Sequence, residues 1–550
     1  MKKEKKGKWM QRTGKLNHKV TRGSDIILSS SVKPRAYLLK KLPSVILAVI
    51  IMIAALLSCG KDSDKTGAYT AVQPPFTSFR DIPGITAEEI AEIEALQKKY
   101  KTFSYGMTHT TEAFITDDGN GGSKVGGYAA LLCEWLSALF AIEFQPEVYA
   151  WNDLLENLND GTLDFAGNLI SNEERRQMYY MTDAIAERQY KMMRIKGSPA
   201  LERIAMERPL RYAFLEGAVH GPNVAAVTTP GSYQPVWVSD YTQVYNVLKS
   251  GAADAFIAED AMEASFADYD DIQIEDFLPL IFSPISMSTA KEELAPVISL
   301  VTKALRRGAI PYLNYLFNHG YEGYKKHIFF MHLDDTEKEY LQNTSTVPLI
   351  TQYFNYPIIF YDTRHKKWDG IAMDLLHEVE KLTGLTFVVI NSERADMPEL
   401  ITLLSSGEGH IFTDLIHTKE REPYFIWNKN KFMADQYALI SKIDYPNVNT
   451  NEIPYKQIGL ITSTAHKEMF HTWFPDALNT IEYENLDDAF IALGNGDVEL
   501  IMVAKTKLLY YLNYHETPDY KANFLFNYSY ESAFAFNKDQ IVLCNIVDKA

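Results

Sequence analysis

The chain has 550 residues, of which 46% are apolar and 12% aromatic, which excludes a disordered polymer and suits two to four packed domains. Its net charge of −17 is unevenly placed: residues 1–58 carry 13 Lys/Arg against 2 Asp/Glu, or +11, so the remainder carries −17 − 11 = −28. A body that acidic excludes nucleic-acid binding, which needs a basic face.

Residues 45–57, VILAVIIMIAALL, form an unbroken apolar run of 13 behind the basic stretch KPRAYLLKK. A bilayer span needs about 18–20 such residues and a secretory signal core about 7–15, so the run predicts an export signal. It ends in LLSCGKDSD, where Leu56-Leu57-Ser58-Cys59 resembles the bacterial lipoprotein box. That resemblance implies lipidation of Cys59 and a protein held at the outer face of the cytoplasmic membrane by its N-terminus. A signal-anchor with an incidental cysteine is the alternative, and the long basic leader favours either it or a downstream start of translation. The other two cysteines, Cys133 in ALLCEWL and Cys544 in IVLCNIV, read as buried free thiols. There is neither a disulfide framework nor a Cys/His spacing for zinc.

After a polar, proline-containing tether over 60–83, TAEEIAEIEALQKKY opens with a Thr-x-x-Glu capping box and predicts a helix. From there the chain says the same thing twice. GGYAALLCEWLSALFAIEF and DGIAMDLLHEVEKLTGLTF both have helical periodicity. Gly127 and Gly370 start these helices and Phe144 and Phe387 close the strands after them. WNDLLENLNDGTLDFAGNLISNEER aligns with MPELITLLSSGEGHIFTDLIHTKER, pairing Leu154 with Leu400, Leu158 with Leu404, Gly161 with Gly407 and Arg175 with Arg421. VYNVLKSGAADAFIAED matches AFIALGNGDVELIMVAK, with Gly251 and Gly496 in register. The reading is tandem domains over 84–330 and 336–550, joined by a linker at 331–335. Short apolar strands alternating with helices predict α/β units around mostly parallel sheets. DFAGNLI is the strand and SNEERR the loop and helix start after it, which puts Arg175 where such sheets collect ligands.

The order of glycine-led helix, LLxxLxxGxxD, T/S-x-E-E-R, aromatic-Thr-Asp and GxxDAFIAED resembles the periplasmic amino-acid-type solute-binding proteins, extracellular solute-binding family three. The resemblance covers both copies. It implies tandem Venus-flytrap domains of the periplasmic-binding-protein type, each of two α/β lobes that close on a small ligand, an amino acid or another small carboxylate. In that family the arginine after the Thr/Ser-x-Glu motif grips the ligand carboxylate, a task suited to the guanidinium fork. By match these are Arg175 and Arg421, with Ser171 and Thr418 as hydroxyl donors nearby. An acid five residues after the second-lobe Asp takes the ligand ammonium; in Asp254-Ala-Phe-Ile-Ala-Glu259 this is Glu259. The second copy departs, because Glu499 is followed five residues later by Ala504 and then Lys505. The second domain is therefore expected to hold a ligand without a positive charge, or none. Tyr356 offers a stacking face or packs in the core.

Other signals carry little. DDGNGGSKVGG lacks the Gly-Lys-Ser/Thr of a phosphate loop and reads as a hairpin turn. The 13 histidines contain no HExxH, so neither a metal nor a cofactor is expected. No Gly-x-Ser-x-Gly exists, and nothing nominates an acid–base pair; although some dehydratases resemble this fold, an enzyme is not expected. Lys303-Ala304 pairs with Lys549-Ala550, where the first copy continues and the second stops, an expectation of missing helices or a fragment of a longer sensor. The expected function is an extracytoplasmic solute-binding receptor, the sensory input of a signalling protein with a C-terminal signalling module as partner. The alternative is a lipid-anchored binding protein that serves an ABC permease.

Overall fold

The computed structural model describes residues 72–117, 121–514 and 518–550. The basic leader, the apolar run and Cys59 lie outside them. Among the described residues no helix is long and apolar enough to cross a membrane.

Two copies of one architecture follow each other. In the first, one sheet runs in the order Glu143–Tyr149, Thr102–Thr108, Phe165–Ile170, Phe282–Thr289. The first three strands are parallel and the last antiparallel to them. Phe165–Ile170 is buried along its whole length, as the central strand of a parallel sheet covered on both faces should be. A second sheet runs Tyr233–Val238, Leu210–Leu215, Ala255–Glu259, Ala186–Ile195, with Ile272–Asp276 on the far side of Ala186–Ile195. The long strands Ala186–Ile195 and Phe282–Thr289 pair with each other from Ala186↔Ile285 to Gln189↔Phe282, so both pass from one lobe to the other. Two crossing strands make a hinge.

The second copy repeats the order in shorter pieces. One sheet is Thr386–Val389, Thr346–Ile350, Ile411–Phe412, Ala535–Asn537, Phe425–Trp427; the other is Thr480–Tyr483, Ile458–Ile461, Leu500–Ala504, Met433–Lys442, Tyr520–Ser532. The chain crosses between lobes from Trp427 to Met433 and back from Ser532 to Ala535. Strand register fixes the equivalence of the copies: Tyr190 faces Glu259 in the first and Tyr437 faces Ala504 in the second.

Local chemistry sets the element ends. Thr86 and Glu89 form the expected capping box of Ala87–Lys99. Gly127 and Gly370 cap Tyr128–Phe140 and Ile371–Thr383 at φ 91° and 122°, values that a side chain would strain. Phe144 and Phe387 sit second in the strands Glu143–Tyr149 and Thr386–Val389 rather than closing them, because each must face the helix that precedes the strand. Phe114–Asp117 and Ser123–Gly126, which flank part of the glycine-rich stretch, pair antiparallel.

The helix Ile310–His332 follows a kink at Gly308. It packs along Tyr128–Phe140 and then reaches the second copy, where Phe329 and Leu333 join Ile546 in one apolar cluster. Lys549 Nζ donates to Glu337 Oε2 at 2.6 Å beside it.

Candidate functional site

Each copy forms a cleft between its lobes, with an arginine on its wall. The helix Glu173–Met178 starts at the carboxyl end of Phe165–Ile170, and Asn172 caps it by accepting from the Arg175 N–H at 2.7 Å. The Arg175 side chain turns back: Nη1 donates to Ile170 O at 3.1 Å, and Nη2 reaches the opposite lobe to donate to Gly217 O at 3.3 Å. Its guanidinium lies 5.8 Å from the Trp151 ring. Trp151 Nε1 donates across the cleft to Glu216 O at 3.2 Å. Thr111 N–H donates to Ala261 O at 3.0 Å, and Ser265 Oγ to His109 O at 3.2 Å.

Glu259 ends the strand Ala255–Glu259 and is buried. His220 Nε2 lies 2.7 Å from its Oε2. Burial would raise the Glu259 carboxyl, but the attraction of His220 and then of Arg188 outweighs it and holds the group down at about 2. Between the lobes lies a cavity of about 20 Å³ bordered by Trp151, Arg175, His220 and Glu259. That is room for about one water. Ser171 is not among the residues that border this cavity; its N–H donates to Pro284 O at 3.2 Å. Beneath it, Arg188 grips both carboxylate oxygens of Glu112 at 2.6 and 2.7 Å and donates to Asn168 Oδ1 at 2.8 Å.

The second cleft has the same arginine and a different interior. Arg421 Nη1 donates to Ile416 O at 2.9 Å and Nη2 to Ser463 O of the other lobe at 3.2 Å, the contacts of Arg175 repeated. Burial pushes its guanidinium pKa down. Here the cavity measures about 560 Å³, within the usual range for a small-molecule site. Thr418 Oγ1 is buried with no partner among the described residues. Tyr356 does not border the cavity; it packs on Phe360 and Tyr510 at ring distances of 5.1 and 6.2 Å. Tyr353 borders it instead.

Ala504 faces the second cleft at the position of Glu259. Lys505 points away, exposed, with Nζ on Gln436 Oε1 at 3.2 Å. The cation that enters is Lys507, whose Nζ donates to Asn355 Oδ1 in the opposite lobe. Asn355 Nδ2 donates to Asp414 Oδ2 at 2.7 Å. Burial pushes the Lys507 pKa down and that of Asp414 up. His466, also on the wall, is held neutral because burial, then Lys507 and Arg421, bring its pKa down to about 3.

Sequence reading did not find Asp414, Lys507, Asn355, His220 or Trp151. The repeat carried the signal. Aligned on Arg175 and Arg421, it pairs Asn168 with Asp414, while the strand equivalence pairs Met262 with Lys507 and Arg188 with Asp435. Among the described residues no cluster of His, Cys, Asp and Glu could hold a metal ion.

No family model and no curated protein matches the sequence. Among solved structures, the BvgS periplasmic domain of B. pertussis is 16% identical over 84% of this chain and 89% of that one, with a TM-score of 0.40. A structure described as VC protein is 16% identical over 82% and 96%, with a TM-score of 0.48. The arginine-bound form of truncated ArgBP from T. maritima is 14% identical over 38% and 96%, with a TM-score of 0.34. These are likenesses of fold. The strand orders, the paired crossing strands and the cleft between each pair of lobes make the chain two tandem Venus-flytrap units of the periplasmic-binding-protein fold.

Proposed function

We propose that the chain is an extracytoplasmic solute receptor, the sensory input of a signalling protein, and that its second cleft takes a small carboxylate through Arg421. The observation that carries this reading is the contrast between the clefts. The first has about 20 Å³, with Arg175 engaged by two backbone carbonyls and Glu259 by His220. The second has about 560 Å³ with a buried arginine on its wall. In this reading Arg175 and Glu259 hold the first unit shut, and Arg421, two of whose five N–H groups go to carbonyls while Glu468 Oε1 lies 3.7 Å from Nη2, offers the rest to a ligand carboxylate. The helix Ile310–His332, packed on both units, supports a sensory role, because a change in one unit has a rigid element through which to reach the other.

Calorimetry of the full chain against alanine, glutamate, arginine, propionate and glutarate is the test. Arg421→Ala should weaken the carboxylates that bind by about 30-fold or more, since losing a charge-assisted contact in a closed site costs about 2–5 kcal/mol. Arg421→Lys keeps the charge without the fork and should fall between. Unchanged affinity in Arg421→Ala would refute the assignment.

A further inference from the structure

The floor of the second cleft differs from that of the first in one respect that points to a ligand. In the first unit the chain of Glu112, Arg188 and Asn168 is matched throughout. Both Glu112 oxygens take bonds from Arg188, Arg188 also donates to Asn168 Oδ1, and Asn168 Nδ2 donates to Thr108 Oγ1 at 2.6 Å. In the second unit Asp414 takes the place of Asn168 and is 6% exposed. Its Oδ2 accepts from Asn355, while its Oδ1 is buried and takes no hydrogen bond among the described residues, the nearby Ser532 hydroxyl, which acts to lower the Asp414 pKa, being left unmatched as well; the side chain borders the 560 Å³ cavity. Asp435, which replaces Arg188, is matched by the Gln436 N–H at 2.7 Å and by Thr506 Oγ1.

We infer that Asp414 is the acceptor for an amino group of the ligand in the second cleft, doing from the first lobe what an acid at Ala504 would have done from the second. The inference rests on the carboxylate reading of that cleft. An open cleft lets water supply the missing donor; closure expels the water, and a buried carboxylate oxygen left unmatched is costly. The charges agree. Asp414 and Asp435 against Lys507 leave one negative charge in excess on the floor, which a single ammonium neutralises. Beyond Lys507 and Arg421 the wall adds Asp396, Glu484, Asp487 and Asp488 against Arg394. That surplus of acid disfavours a dicarboxylate and favours a zwitterion, contrary to what Ala504 and Lys505 led the sequence to predict. Asp414 and Arg421 both follow the strand Ile411–Phe412, so one lobe presents the acceptor and the fork together.

The experiment compares acids with and without their amino group on the full chain: alanine against propionate, glutamate against glutarate, arginine against 5-guanidinovalerate. In each pair that binds, the amino acid should be at least about tenfold tighter. Asp414→Asn, isosteric and checked for folding by circular dichroism, should bring the ratio to within about twofold. Ala504→Glu in the Asp414→Asn background should restore the preference by returning an acid to the second lobe. Desamino acids that bind through Arg421 as tightly as their amino partners, or a ratio that survives Asp414→Asn, overturn the inference and leave the carboxylate reading standing. If no member of any pair binds, both fall.

Discussion

Glu259 stands at the position expected of a ligand-binding acid, with His220 Nε2 2.7 Å from its carboxylate. Its pKa of about 2 lies below the 4.5 of a free glutamate because His220 and then Arg188 more than offset the cost of burial. The folded state therefore binds fewer protons than the unfolded one between those values. The stability this contributes is complete above about pH 4.5 and drains away as the pH falls towards 2, an effect on the order of 3 kcal/mol. Urea midpoints of the full chain should drop between pH 5 and pH 3, and Glu259→Gln should flatten that drop for the first unit; an equal drop in the variant would assign the acid sensitivity to other groups. The residue itself was legible, because it ends a repeated strand. Its use was not: His220 stands 39 residues away in sequence and meets it only when the helix His220–Val227 docks. Asp414 and Lys507 were hidden for a related reason. Each follows an apolar strand where the first copy has a bland residue, and only the strand register shows both to face one cavity.

At the level of elements the repeat was the most legible feature, since the helices, the central strands and the arginine after them recur in the same order at nearly constant spacing. The hinge was not legible, because whether a long strand stays in one sheet or crosses to the next depends on its partners rather than on its own pattern. The linking helix shows what packing adds to propensity. Gly320 lies mid-helix in Ile310–His332, where alanine would be favoured by about 0.8–1 kcal/mol on propensity alone. A Cβ there would lie 2.4 Å from the backbone nitrogen of Tyr128, so the two helices approach backbone to backbone. Neither backbone can yield locally, and overpacking of this kind costs about 1–3 kcal/mol. Gly320→Ala should therefore lower the thermal midpoint despite the better helix former. A rise would mean that the helix pair can separate without loss and that Gly320 does not set its spacing.

The whole molecule carries two copies of one device set to different ends. In the first, Arg175, Trp151, Thr111 and Ser265 each make a hydrogen bond from one lobe to the other. At about 0.5–1.5 kcal/mol net apiece, four such bonds favour the closed arrangement by about 2–6 kcal/mol, or roughly 30-fold to 10⁴-fold. A ligand can shift an equilibrium only by its differential affinity, and a cavity with room for about one water offers a larger molecule none. The first unit should thus be closed whatever small molecules are present, serving as a fixed support for the helix that reaches the second unit. Spin labels at Asp153→Cys and Thr242→Cys, one on each lobe of the first unit in a Cys59→Ser background, measure this directly. The full chain should give one narrow distance distribution, unchanged by amino acids. Trp151→Phe combined with Arg175→Ala removes two of the four bonds and should add a longer-distance population. A broad distribution in the unsubstituted lobes that narrows when an amino acid is added would show instead that ligand, and not the latch, closes the first unit.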